Sequence, residues 1–307
     1  MPMLSRVADS LYWMGRYLER AEHMARLLEV TRDLLVDLSE VDREGAAAQW
    51  EATVATLAIP NSNVEDMVFN GSEPASLVSC IMLARENARQ VREVIAGDMW
   101  EHLNQAYWGL EEARSQAPGE SRIVQALTHV QTASFVWDGV TDTSMRRGEG
   151  WLFLKLGKFV ERVDRVSRTI AARAAPKARD DAAGKTQEEN VTLLTLLRSA
   201  GALEEYRKVY PTRVDVRSVL DFLLFDRDFP RAVRFGTRQA LELAGRLSAL
   251  HLSPDDDVVR AFGRLSARLE YSDVGEVVTQ GPAVFLGDVL AQTGAASGSL
   301  ARKYFLQ

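Results

Sequence analysis

Apolar residues recur along this chain at steps of three and four, the spacing that lines one side of an α-helix. The run is clearest at Val7, Leu11, Met14, Leu18, Ala21, Ala25 and Leu28, inside a helix predicted from Ser5 to about Leu38. Tyr12, Trp13 and Tyr17 widen the apolar arc, which predicts burial on several sides. The polar positions of this helix form two further rows. Glu19, Glu22 and Arg26 share one face at i, i+3, i+7, and Arg16, Arg20 and His23 share another at i, i+4, i+7. Carboxylates on so apolar a helix are expected to be partly buried.

The same periodicity predicts helices over 43–59, from Ser72 and Pro74 to Ala96 with Gly97 as the stop, 98–116 with Asp98 as the cap, 121–145 and 151–173. Further helices are predicted over 188–200, 202–209, 213–225, 230–250, 255–271 and 284–305. Pro60–Glu73 is rich in turn formers and reads as a loop. Pro176–Gln187 is polar, lacks periodicity and is the best candidate for a mobile loop. Strand alternation is nowhere convincing, so the predicted fold class is all-α.

A motif returns. Gly157-Lys-Phe-Val-Glu161-Arg162-Val-Asp164 reads like Gly15-Arg-Tyr-Leu-Glu19-Arg20-Ala-Glu22, an offset of 142 residues, and Arg168 answers Arg26. At the same offset Arg85-Glu86-Asn-Ala-Arg89-Gln-Val91-Arg92 falls on Arg227-Asp228-Phe-Pro-Arg231-Ala-Val233-Arg234. This pattern predicts a duplication: a helical bundle of one domain, 1–307, built from interlocked halves of about 1–143 and 144–307 around a pseudo-twofold axis. Glu19 and Glu22 would then lie near Glu161 and Asp164. Each half alone would expose its apolar seam, so isolated halves are expected to aggregate or dimerise.

Composition narrows the classes. The chain is 46% hydrophobic and 26% charged with a formal net charge of −6, ordinary for a globular protein. That balance argues against general nucleic-acid or anionic-membrane binding while leaving room for a local basic pocket. The one cysteine, Cys80, excludes an intramolecular disulfide and a zinc site with two or more cysteines of this chain. The first ten residues lack a signal-peptide core and no uncharged run approaches a membrane span, so a cytoplasmic protein is expected. Self-association is left open.

The acidic and basic motifs admit three readings. Four carboxylates on two facing helices suggest a di-metal bundle, but the order Glu19, Glu22, His23 is not the expected Glu-x-x-His, and Arg165 stands where a second histidine would be. No metal and no cofactor is therefore predicted. The second reading is an ion-pair network in which Glu19, Glu22, Glu161 and Asp164 balance Arg85, Arg89, Arg92, Arg227, Arg231 and Arg234. The third is functional. Glu19 and Glu161 are the catalytic candidates, and the arginines, with Arg20, Arg162, Glu22, Asp164 and Asn87, form an anion- or amide-binding set. Within it, Glu22 and Asp164 are expected to be chiefly structural and Glu19 and Glu161 nearer to function. Trp100, Trp108 and Trp137 read as packing, and His102, His129 and His251 as structural. No glycine-rich phosphate loop and no nucleophilic triad can be assigned.

Four motifs in order, LSRVADSLYWMGRYLERAE at 4–22, ARENARQVRE at 84–93, GEGWLFLKLGKFVERVDR at 148–165 and LLFDRDFPRAVRF at 223–235, carry a resemblance to the bacterial alpha-E family over nearly the whole chain. The family's characteristic glutamates match Glu19, Glu22 and Glu161, with Asp164 a shorter acid at the fourth position. Members commonly carry Ser after the Pro-Arg of the last motif, where Ala232 stands here. The resemblance implies association with a circularly permuted ATP-grasp ligase and a transglutaminase-like protein, and so amide or peptide metabolism. The residues and the resemblance together leave two functions. One is an accessory, substrate-binding protein of an ATP-grasp amide ligase. The other is a stand-alone enzyme using the Glu19/Glu22 and Glu161/Asp164 carboxylates, with or without the help of a metal.

Overall fold

The structure, a computed structural model, describes residues 3–38, 42–59, 63–173, 182–212, 214–252 and 256–306. Every regular element among them is a helix: α1 (Ser5–Leu38), α2 (Arg43–Leu57), α3 (Val64–Phe69), α4 (Leu77–Gln90), α5 (Gly97–Ser115), α6 (Glu120–Ser144), α7 (Glu149–Arg173), α8 (Ala182–Ser199), α9 (Leu203–Val209), α10 (Val216–Phe225), α11 (Val233–Leu250), α12 (Asp257–Glu270), α13 (Val274–Gln280) and α14 (Pro282–Tyr304). None of the described helices is long and apolar enough to cross a membrane.

Local chemistry sets many of the starts. Asp42, Asn63, Ser76, Asp215, Asp256 and Asp273 each accept a hydrogen bond from a backbone N–H of the first turn that follows. Pro282 opens α14, where a missing N–H costs nothing.

Several predicted bounds are corrected by such caps. The stretch 60–73 contains α3, because Asn63 caps it. The next helix is capped by Ser76, not begun at Ser72. It ends at Gln90, and a turn over 91–95 leads into α5. Gly97 opens α5 rather than stopping α4, and Asp98 lies inside the first turn. Of the predicted mobile loop, 176–181 lie outside the described residues, and 182–187 belong to α8. Asp255 also lies outside them. Residues 227–232 of the second basic motif form the turn between α10 and α11, where the Asp226 carboxylate accepts from the backbone N–H groups of Asp228 and Phe229, and Val233 and Arg234 open α11. The separate helix α13 has no counterpart in the sequence reading.

The centre of the molecule is the crossing of α1 and α7, the most extensive helix pair, with α4 and α6 on the far sides of α1 and α11 and α14 on α7. The predicted seam is its core: Leu11, Met14, Leu18, Ala21, Ala25 and Leu28 are buried, as are Phe153, Leu156, Val160 and Val163. Two glycines let the helices touch backbone to backbone. A Cβ at Gly15 would overlap the Leu154 carbonyl oxygen, and one at Gly157 would overlap that of Tyr12. Like Gly15 and Gly157, Tyr12 and Leu154 are 142 residues apart, so the two contacts are reciprocal at the offset of the repeated motif.

Candidate functional site

One and two turns beyond the touching glycines, α1 and α7 exchange charges. The Glu19 carboxylate accepts from Arg162 through Nε at 2.6 Å and Nη2 at 2.8 Å. Glu161 accepts from Arg20 through Nε at 2.6 Å and Nη2 at 3.1 Å. Each Glu-Arg dipeptide thus gives its acid to the other's arginine, and the two bidentate pairs map onto one another at the same offset of 142. Planar guanidinium forks match a carboxylate in this geometry.

The pairs differ in what surrounds them. Glu161 also accepts from Arg16 Nε at 2.6 Å and Arg165 Nε at 2.8 Å, so three guanidiniums meet one wholly buried carboxylate. Glu22, one turn on from Glu19, accepts from Arg231 at 2.9 and 2.8 Å and from Arg26. Its repeat counterpart Asp164 accepts from Arg168 at 2.8 and 3.2 Å and lies 3.8 Å from Arg165. The asymmetry has two causes. Asp164 is one methylene shorter than Glu22. And Arg89, the counterpart of Arg231, is on regular helix rather than on a turn, where it pairs with Glu86 in solvent.

Electrostatics keeps these acids ionised. Burial would raise the Glu161 carboxyl, but Arg16, Arg165 and Arg20 outweigh it and hold it well below the usual carboxylate range. Burial is likewise overcome at Glu22 by Arg231 and Arg26, and at Glu19 by Arg162. A general acid or base is most useful when it titrates near the working pH. This environment drives Glu19 and Glu161 the other way.

His23 behaves oppositely. Its Nε2 sits 2.9 Å from the Thr169 hydroxyl, and burial pushes the ring down to about 4. An unfolded chain takes up that proton near 6.5, so between 6.5 and about 4 the unfolded state binds more protons and stability falls as the pH falls. The expected loss across that window is on the order of 3 kcal/mol. A His23→Gln variant should lack this step in its pH-dependent urea unfolding. The same slope in both proteins would refute the assignment. Below about 4.5 the carboxylates add a second loss, because their lowered values make the folded state the poorer proton acceptor.

Of the predicted site residues, the structure brings together Glu19, Glu22, Arg20, Arg162, Glu161, Asp164 and Arg231. The others are elsewhere, and their expected pairing with the acidic rows is corrected. Arg85 donates to Asn104 at 2.6 Å and lies 4.8 Å from the Tyr107 ring centroid. Arg92 stacks on Trp100. Asn87 donates to its own helix at Leu83 O. Arg227 and Arg234 both pair with Glu270. Glu19, Glu22 and Glu161 are all buried, and Asp164 stands nearest to solvent. Among the described residues, no three His, Cys, Asp or Glu side chains form a metal-ligand set.

The sequence reading missed Arg16 and Arg165 as Glu161 partners, and Lys158 and Asp138 beside Glu19. A signal for the first was present, since Arg16 and Lys158 are cations at matching positions of the two motifs. Lys158 pairs with Asp138, and burial lowers its pKa.

An all-helical protein whose two Glu-Arg dipeptides clasp each other is what fold and site define. Residues 3–305 match the Alpha-E family, described as a predicted alpha-helical domain with a conserved ER motif, and the chain belongs to that family. It is similar to uncharacterised proteins of Mycobacterium bovis and of two strains of Mycobacterium tuberculosis, at 26% identity over 254 residues. The matched part covers 74% of this chain and 28% of each relative, so the chain spans under a third of their length. No solved structure matches it.

Proposed function

We propose that this protein is a binding and assembly module that works beside an ATP-grasp amide ligase and holds an acidic or peptide substrate for it. The observation that carries the reading is the cluster of Arg16, Arg20 and Arg165 on the single buried carboxylate of Glu161. Buried cations call for matching anions, and Glu161 supplies one negative charge to three positive ones. The three arginine side chains are not fully buried, at 15, 17 and 13% exposure. A carboxylate or phosphate arriving from solvent would complete the balance through charge-assisted hydrogen bonds.

The lowered Glu19 and Glu161 carboxyls favour this reading over a stand-alone acid–base enzyme. That most of the relatives' length lies outside the matched region supports a module joined to other parts. By the family resemblance, the partners are a circularly permuted ATP-grasp ligase and a transglutaminase-like protein, met in the cytoplasm. We also infer that the two halves arose by duplication about a pseudo-twofold axis at the α1–α7 crossing. The reciprocal glycine contacts and reciprocal Glu-Arg pairs support it.

The test is co-purification with the ligase, together with ligase turnover measured with and without this protein. A complex and a changed rate are expected, with Arg165→Gln weakening the rate effect while leaving the protein folded. No complex and no rate change would refute the proposal.

A further inference from the structure

We propose that the groove between α12 and α14 binds a small phosphomonoester and holds its dianionic phosphate between Arg264 and Arg302. The groove measures about 590 Å³, within the roughly 300–1,000 Å³ of small-molecule sites. None of its lining residues belongs to the α1–α7 crossing. Small side chains, Ala261 on one helix and Ala295 and Ser299 on the other, keep it open.

Its charge runs against that of the chain. The net charge is −6, yet four of the eight lining residues are cations and one is an acid. Two of the cations are matched: Arg260 pairs with Asp257 at 2.5 Å, and Lys303 with Asp256 at 2.6 Å. Among the described residues, Arg264 and Arg302 have no carboxylate partner. The Arg302 Nη2 donates to the Ser299 hydroxyl at 3.0 Å and its Nη1 lies over Gly298, so its guanidinium folds back along α14. Side chains of α12 likewise lean towards the start of their helix. Lys303 ties the end of α14 to the cap of α12, so the helices run antiparallel and the two leanings converge on the middle of the groove. Like charges sharing one cleft repel, and such a cleft concentrates the opposite ion.

The ligand follows from the count and kind of these groups. Two spare positive charges on converging side chains call for two negative charges on one compact group. A phosphomonoester carries about −1.5 to −2 near neutral pH, on oxygens that accept strongly. Arginine is its complement, since it donates and never accepts. A single carboxylate would leave one cation unbalanced. Space beyond the phosphate remains for the organic part, against Ala261 and Ala295. Basic residues in the last turn of α14 also suit the helix dipole. Arg264, in the middle of α12, has no such reason to be there.

The test is calorimetric titration of the full chain with phenyl phosphate at about pH 8, where the ester is a dianion. The controls are phenyl sulfate, of the same shape with one charge, and succinate, with two charges held apart. Phenyl phosphate should bind saturably, and the controls about tenfold more weakly or not at all. Arg264→Gln and Arg302→Gln should each weaken phenyl phosphate about tenfold, the loss of one charge-assisted hydrogen bond. Both side chains are exposed, so the melting temperatures should stay at the wild-type value. Arg43→Gln, exposed on α2, should change neither. A lipid headgroup offers the same chemistry, so phosphatidylcholine vesicles with and without phosphatidic acid form a further arm. No saturable binding of phenyl phosphate would overturn the proposal. So would equal binding of either control, undiminished binding in either groove variant, or binding to phosphatidic acid vesicles alone. None of these readouts involves the ligase, so this inference and the assembly function can fail independently.

Discussion

Replacing Glu161 by glutamine should lower the stability of the protein by about 3–5 kcal/mol, the usual result of removing one partner from a buried charge pair. The reason lies in the count of charges. Arg16, Arg20 and Arg165 all donate to this carboxylate, which is fully buried, and the amide that replaces it brings no negative charge. Three guanidiniums would face each other with little water to separate them. At roughly 2–4 °C per kcal/mol for large domains, the melting temperature should drop by roughly 6–20 °C. Asp164→Asn is the natural comparison. Its main partner, Arg168, is 42% exposed, and ion pairs near solvent contribute about 1 kcal/mol or less. Adding Arg16→Gln to Glu161→Gln should recover part of the loss. Equal melting of wild type and Glu161→Gln, with Asp164→Asn the weaker protein, would show that the α1–α7 charges are not what holds this site.

The second large effect is expected from a single methyl group. Gly157→Ala puts a Cβ into the Tyr12 carbonyl, and Gly15→Ala puts one into that of Leu154. Both obstacles are backbone, which cannot rotate away as a side chain would. Overpacking a core costs about 1–3 kcal/mol and occasionally more, and a clash between two main chains belongs at the upper end. Alanine's better helix propensity returns about 1 kcal/mol, which is too little. Gly139 is the control: it is exposed on α6 with open space around it, so Gly139→Ala should stabilise by up to about 1 kcal/mol. Chemical unfolding of the three variants measures this. Gly157→Ala at or above wild-type stability would mean that the helices do not touch as described.

Both effects rest on features that the sequence displayed unequally. The apolar seam of α1 and the repeated motif are periodic signals, and periodicity survives without any knowledge of the partner helix. That is why Leu11, Met14 and Leu18 could be placed in the core and Glu19 and Glu161 singled out. Pairing is a different quantity. Whether Glu19 meets Arg162 or Arg231 depends on how α7 crosses α1 and where the turn after α10 puts its arginines, and no local pattern encodes either. The six arginines of the basic motifs illustrate the point. They align in sequence, yet only Arg231 reaches an acid of the crossing, because 227–234 bridges two helices while Arg85 and Arg89 stay on α4. Helix ends were legible to within a few residues where an Asp, Asn or Ser cap stands, and less so at 60–76, where several cap-forming residues compete.

The crossing also bears on how the protein is made. α1 leaves the ribosome well over a hundred residues before Gly157, Glu161 and Arg162 follow it. During that interval α4 and α6 can shelter parts of the helix, but the strip around Gly15, with Glu19 and Arg20 beside it, has no complement yet. The nascent chain therefore carries an oily, charged helix face through most of the synthesis of its first half, a surface suited to holdase chaperones and to premature pairing with another nascent copy. Closing so long a loop costs chain entropy before it returns any contact. Of the contacts that α1 makes with α4, α6 and α7, the central one, with α7, thus becomes available last.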